Sequence, residues 1–157
     1  MRAVVRVSGQ VPIRRASQDV FAFVADGRND PLWRGDIRHI EYITPEPVCR
    51  HSQYVERMEE WGVPMTAWYK VTEYEPNRLI AARSFRTSRP IMQMNIGIRR
   101  TVLQEKNYAL FGYELDLIID DSPLYRLIAP FLKYAAQQRL NHYLRQLQWR
   151  LDKENGR

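Results

Sequence analysis

Glu56, Tyr69 and Tyr113 are the residues of this 157-residue chain whose side chains could move a proton or anchor a ligand oxygen. Glu56 alternates with Tyr54 and Met58 along a stretch that reads as a strand, so an inward Glu56 would sit among aromatic and thioether groups. Burial of that kind disfavours the carboxylate, raises its pKa and suits it to general acid–base work. Tyr69 and Tyr113 each offer a phenolic hydroxyl, although a buried tyrosine most often satisfies itself with a protein partner. Two registers stay open. A one-residue slip in 52–60 would exchange the inward set Tyr54/Glu56/Met58 for Val55/Arg57/Glu59. Pairing Glu75 with Arg78 across a turn sends Arg83 outward beside Lys70, whereas a longer turn brings it inward as an anion anchor.

Other chemistries find little support. His39, His51 and His142 have no Cys, His or acidic partner at a metal-ligand spacing, so no metal is expected. There is no GxSxG, Walker-type or GxGxxG sequence, and no cofactor is expected. Cys49 lies near Arg50 and His51, which could lower its pKa, but a lone thiol without further support reads as an ordinary cysteine.

The elements that must position these groups follow from periodicity. Ala3, Val5, Val7, Gly9, Val11 and Ile13 alternate with polar residues as a half-buried strand. Ser17, followed by Gln18 and Asp19, reads as the N-cap of a helix carrying Phe21, Val24 and Ala25, which Asp26-Gly27 stops. Asn29-Asp30-Pro31 starts a second, very short helix bearing Leu32 and Trp33. Six strands follow, near 37–43, 52–60, 63–74, 79–86, 91–104 and 108–119. Turns at Gly62, Pro76-Asn77 and Lys106-Asn107 make neighbours antiparallel. Ser122-Pro123 opens a final helix reaching about Lys153, with Pro130 inside it. One apolar stripe holds Leu124, Leu127, Ile128, Phe131 and Ala135. A second, nearly opposite, holds Leu140, Leu144, Leu147 and Leu151, so either the helix bends or its halves bury different faces.

The fold class is therefore α+β: a seven-stranded curved antiparallel sheet, two short helices after the first strand, and a long C-terminal helix. One helix over one sheet leaves space that side chains do not fill, so a cavity is expected. Met92, Met94, Ile96 and Ile98 alternate on one strand, and Met58 and Met65 flank the turn at Gly62. Flexible thioethers suit a pocket of adaptable shape, and equally suit ordinary core filling. The expected pocket wall comprises Phe21, Trp33, Tyr54, Met58, Met65, Phe85, Met92, Met94, Leu117, Leu127, Phe131 and Tyr134.

Length and composition fit a single domain over 1–157, with 45% hydrophobic residues and no repeat. The net charge is +6, and seven Arg/Lys against two Asp/Glu fall within residues 122–157. These cations are spread along a helix and not interleaved with aromatics, which favours a solvated face and gives no reason to expect nucleic acid. No apolar run is long enough to span a bilayer, and transient membrane contact is allowed. With one cysteine and no signal-peptide pattern, a cytoplasmic protein is expected, monomeric or homodimeric.

The segment from Ala16 to Asp26, with Asn29, Pro31 and Trp33, resembles the opening of the START-related (SRPBCC) superfamily. Tyr69 to Leu79, containing Glu75-Pro76-Asn77, resembles its mid-sheet turn. The branch it is most similar to is polyketide cyclase/dehydrase and lipid transport, and the likeness runs from about residue 4 to 152. It implies a helix-grip fold around a deep hydrophobic pocket, and a carrier or binding protein for a lipid or polyketide-like molecule. The alternative it implies is a cyclase/dehydratase using Glu56 or a tyrosine as acid or base. No catalytic residue is common to the superfamily, and the matching residues mostly shape the fold. The stretch Pro47–Ser52 departs from the pattern by lacking the glycine that often precedes the next strand.

Overall fold

The computed structural model describes residues 2–60, 62–88 and 94–154, without the Glu60 side chain. Strand β1 (Arg2–Ile13) leads into α1 (Ser17–Ala25) and a 3-10 helix (Gly27–Leu32). Strands β2 (Ile37–Tyr42), β3 (Gln53–Glu60), β4 (Val63–Glu75), β5 (Leu79–Thr87), β6 (Met94–Gln104) and β7 (Ala109–Asp120) follow, and α2 spans Pro123–Glu154. The sheet order is β1-β7-β6-β5-β4-β3-β2, antiparallel throughout. Each strand from β2 to β7 pairs with its sequence neighbour, while β1 closes against the last strand. The two small helices therefore carry the chain from one edge of the sheet to the other. This is the expected helix-grip arrangement.

Local chemistry explains the reversals. Gly62 and Asn77 adopt left-handed backbone conformations (φ 76° and 64°), which glycine and asparagine tolerate best. The register β1 to β7 runs without a shift from Arg2↔Asp120 to Ile13↔Ala109. In β4–β5 the turn pairs Glu75 with Leu79, one residue beyond Arg78. A bulge between Val71 and Glu73 then restores Tyr69↔Ser84 and Lys70↔Arg83. Arg83 consequently points outward. In β3, Glu56 and Met58 are buried and Tyr54 is half-buried, so the inward set is Tyr54/Glu56/Met58.

Ser17 does not cap α1. It is the first helical residue; the preceding Ala16 is extended, and the Ser17 N–H donates to the Gln104 side-chain oxygen at 2.8 Å. Asp26-Gly27 likewise begins an element as well as ending one, since the Asp26 carboxylate accepts from the Arg28 N–H at 3.0 Å and caps the 3-10 helix.

The long helix α2 is continuous through Pro130, and its halves bury different faces. In the second half Leu140, Leu144, Leu147 and Leu151 pack onto β1. Gln137 and Gln148 donate to the Ser8 and Pro12 carbonyls, and Asp152 accepts from the Arg14 N–H. At Gly9 a Cβ would lie 2.6 Å from Leu144 Cδ1, so the absent side chain lets the helix approach. In the first half the expected stripe is split: Ile128 is half-buried and Ala135 lines the space beneath the helix, but its large members are not inward. Leu124, Leu127 and Phe131 face solvent, and Tyr125, Leu132 and Ala136 turn inward. One unbroken helix clamped by its C-terminal leucines has no freedom to rotate the earlier stripe into the core.

Leu147→Ala should cost about 2–5 kcal/mol in urea unfolding, the usual loss for a fully buried leucine. Leu127→Ala should leave the midpoint within experimental scatter, because its side chain is already in water.

Candidate functional site

Four buried charged residues build the floor of the site. Asp30, on the 3-10 helix, receives Arg34 Nη1 at 2.9 Å and both terminal nitrogens of Arg100 from β6. Arg34 also donates to Glu56 at 3.2 Å, and Arg100 donates to the Val24 carbonyl at 2.8 Å. Two carboxylates and two guanidinium groups balance, which is what lets such charges sit away from water. The Arg100 guanidinium lies 5.2 Å from the Trp33 ring and 5.3 Å from the Tyr113 ring, adding cation–π contacts. The Tyr69 hydroxyl points at Glu56 at a long 3.4 Å, and Tyr54 stacks on Tyr69.

Burial pushes the Glu56 carboxyl above its ordinary value. Arg34 pulls the other way but less, being shared with Asp30 and held at the longer distance. Burial also raises Tyr54 and Tyr69, next to the negative charge of Glu56, so both stay protonated donors.

Above this floor a cavity of about 80 Å³ lies between the sheet and α2. Met58, Met65, Met94, Ile96, Leu115 and Leu117 supply its sheet wall, and Leu132, Ala135, Ala136 and Leu140 supply its helix wall. Its polar end is made by Arg34, Asp36, Tyr69, Tyr113, Arg139 and Tyr143. Tyr143 hydrogen-bonds Asp36, and burial, reinforced by Asp36, holds its pKa well above the ordinary phenol range. Arg139 lies 4.0 Å from the same carboxylate. Two buried atoms on the lining residues, Arg34 Nε and Asp36 Oδ1, have no hydrogen-bond partner among the described residues.

Of the expected site residues, Tyr69, Tyr113, Met58, Met65, Met94 and Leu117 converge on this cavity. Glu56 does not reach it; the carboxylate is fully buried behind Arg34 and Tyr69. Phe21 packs on Tyr74, Trp33 sits edge-on to Phe111 and Tyr113, and Tyr54 borders a smaller void beside Asp30 and Arg100. Those three belong to the core below the cavity. Phe85 is exposed because its neighbour Ser84 takes the inner face, where Ser84 Oγ accepts from the Ile96 N–H. Leu127, Phe131 and Tyr134 are exposed on the outer side of α2. Met92 lies outside the described residues. Sequence reasoning missed Arg34, Asp36, Arg139 and Tyr143. The only available signal was Asp30-Arg34 at i,i+4, together with a weak inward stripe, Leu132-Ala136-Arg139-Tyr143. Among the described residues no three His, Cys, Asp or Glu side chains gather as a metal site would need.

Solved structures share this architecture. A START superfamily protein from Mycobacterium smegmatis superposes with a TM-score of 0.77 at 19% identity, covering 94% of this chain and 97% of that one. The chain has a START-superfamily fold. The Zhui aromatase/cyclase from Streptomyces sp. R1128 shares this START-like fold with a TM-score of 0.76 at 12% identity, covering 96% and 95%. The di-domain aromatase/cyclase StfQ of the steffimycin pathway gives 0.77 at 12% identity, over 98% of this chain and 53% of that one. No protein-family model matches the sequence, and no curated protein is significantly similar to it.

The raised carboxyl of Glu56 fixes a sign. Between the ordinary carboxylate value and its higher folded value, the native state holds the proton more tightly than the unfolded chain, so stability falls as pH rises through that window. Urea midpoints measured across it should decline for the wild type relative to Glu56→Gln, which has no proton to lose. A constant difference between the two would contradict the assignment.

Proposed function

We propose that this chain acts as one START-like unit that binds or carries an amphipathic hydrophobic small molecule, lipid or polyketide-like, in the cavity under α2. The observation that carries the reading is the pairing of an apolar, methionine-rich wall with a polar end built from Arg34, Asp36, Tyr69, Tyr113, Arg139 and Tyr143. A polar group on a ligand pairs with such residues while its apolar body lies against the wall. The likeness in fold to a START superfamily protein and to aromatase/cyclases supports the same class of ligand. The lone cysteine suits a cytoplasmic setting.

Size sets a condition on the reading. A partly open space of about 80 Å³ is smaller than the roughly 150 Å³ that accommodates benzene. A larger ligand enters by displacing wall. Met58, Met65 and Met94 are the side chains best able to yield, each with three rotatable bonds and no branch. The first half of α2, with fewer large inward residues than the second, is the backbone that gives most readily. Native mass spectrometry of freshly purified protein should retain an apolar ligand, and anilinonaphthalene sulfonate should fluoresce on binding. Leu117→Trp, which fills the cavity, should weaken that uptake by about tenfold or more. Uptake unchanged in this variant would remove the cavity from the proposal.

A second reading is an enzyme of the cyclase/dehydratase kind. It is favoured by Tyr69 and Tyr113 standing in one cavity with Arg34 and Asp36. Glu56 would then act through Arg34 and Tyr69 without touching the ligand. Holding a reactive chain folded supplies rate through proximity, and a tyrosine hydroxyl supplies the proton. With a polyketide-like substrate that is turned over, Tyr113→Phe should lower kcat by about a hundredfold, within the usual range for a proton-transfer group. Equal turnover by Tyr113→Phe and wild type would remove Tyr113 from the mechanism, and no turnover by the wild type would leave binding alone.

A further inference from the structure

Leu124, Leu127, Phe131 and Tyr134 recur on the outer side of α2 at i, i+3, i+7 and i+10, and are 66%, 70%, 75% and 69% exposed. Four large apolar side chains aligned on one helical face, none contributing to the core, exceed the scatter of single exposed residues that soluble proteins carry. The helix itself is cationic along most of its length, although Arg126 is paired with Asp121 just before its start at 2.9 Å. Between Pro123 and Leu151 the helix carries Arg126, Lys133, Arg139, Arg145 and Arg150, and no Asp or Glu. About five turns beyond Phe131 and on the same face, Trp149 is exposed as well, with Lys153 over its ring at 4.6 Å.

We propose that this outer face of α2 docks onto an anionic lipid bilayer, lying in its plane with Leu127 and Phe131 inserted among the headgroups. An apolar stripe with cationic flanks and aromatic residues at its border is the pattern that binds membrane surfaces, by apolar burial together with attraction to acidic headgroups. A second copy of the chain is a poorer occupant. Pairing two such helices would bring Lys133, Arg145 and Arg150 of each toward the other, with no acid between Pro123 and Leu151 on either and Asp121 already engaged by Arg126. Nucleic acid would leave four apolar side chains without a role. The same turns line the cavity from within through Leu132, Ala135 and Ala136, so the helix stands with a bilayer on one side and the ligand space on the other. Docking does not depend on the cavity being filled; transfer of a ligand between bilayer and cavity would rest on the carrier reading.

Flotation of the full chain with vesicles is the test. Phosphatidylcholine vesicles containing phosphatidylserine should carry the protein upward, added salt should weaken this, and phosphatidylcholine alone should bind little. Leu127→Ser with Phe131→Ser should reduce flotation by about tenfold or more, from the loss of two inserted side chains. The double variant should keep the wild-type urea midpoint and anilinonaphthalene sulfonate uptake, since both residues are exposed and outside the cavity. Lys133→Glu should weaken flotation without altering the fold. Three results would overturn the proposal: no flotation with phosphatidylserine, equal flotation of the double variant, or a dimer in sedimentation that the double variant abolishes. Failed probe uptake with intact flotation would remove the carrier reading and leave the docking face standing.

Discussion

Asp30 accepts hydrogen bonds from two guanidinium groups, Arg34 four residues away and Arg100 seventy residues away, and the rest of the molecule is arranged around that junction. Through Arg34 it reaches Glu56 on β3, and through Arg100 it reaches the C-terminal end of α1 at the Val24 carbonyl. A single carboxylate thus ties the 3-10 helix to β6 and, one step on, to β3. Charges this deep are strongly coupled to their partners: removing one member of such a set typically costs about 3–5 kcal/mol, because the remaining charge is left without compensation. An apolar replacement of the whole set would hold the fold as well. What the charges add is position, since guanidinium–carboxylate geometry is directional where aliphatic packing is not.

That positioning explains why the polar end of the cavity is polar. Arg34 is committed to Asp30 and Glu56 through Nη1, which fixes its guanidinium and leaves Nε without a partner in the wall. Asp36, two residues on, stands beside Tyr143 and faces Arg139 from α2, while Oδ1 has no partner among the described residues. The floor is rigid and charge-balanced, and the wall above it is methionine and small aliphatic groups. A site with one fixed polar end and one adaptable apolar end discriminates ligands by their headgroup more than by the shape of their body.

The long helix divides the remaining work. Its second half is bound to β1 by four leucines and by side-chain hydrogen bonds to Ser8 and Pro12, which sets its rotation. Its first half inherits that rotation, so Leu132, Ala135 and Ala136 face the cavity and Leu127 and Phe131 face out. The two alanines toward the sheet keep the space beneath from closing, and the large residues outside leave a face available to a partner. Both properties follow from one torsional constraint.

The order of elements, the antiparallel pairing and the long terminal helix were legible in the sequence, because alternation in β1 and β7 and the turns at Gly62 and Asn77 are local signals that tertiary context did not override. The inward faces of Tyr69, Tyr113, Met58, Met65, Met94 and Leu117 followed from the same alternation. Ser17 misled because a cap is decided by which acceptor stands nearest, and Gln104 comes from the end of β6, far away in sequence. Phe131 and Tyr134 misled because periodicity reports that a helix has an apolar face without saying which of two faces the sheet will cover. Only the tertiary structure decided that choice, the burial of Glu56 away from the cavity, and the meeting of Asp30 with Arg100. Each depends on contacts between residues far apart in the chain, where sequence spacing carries no geometric information.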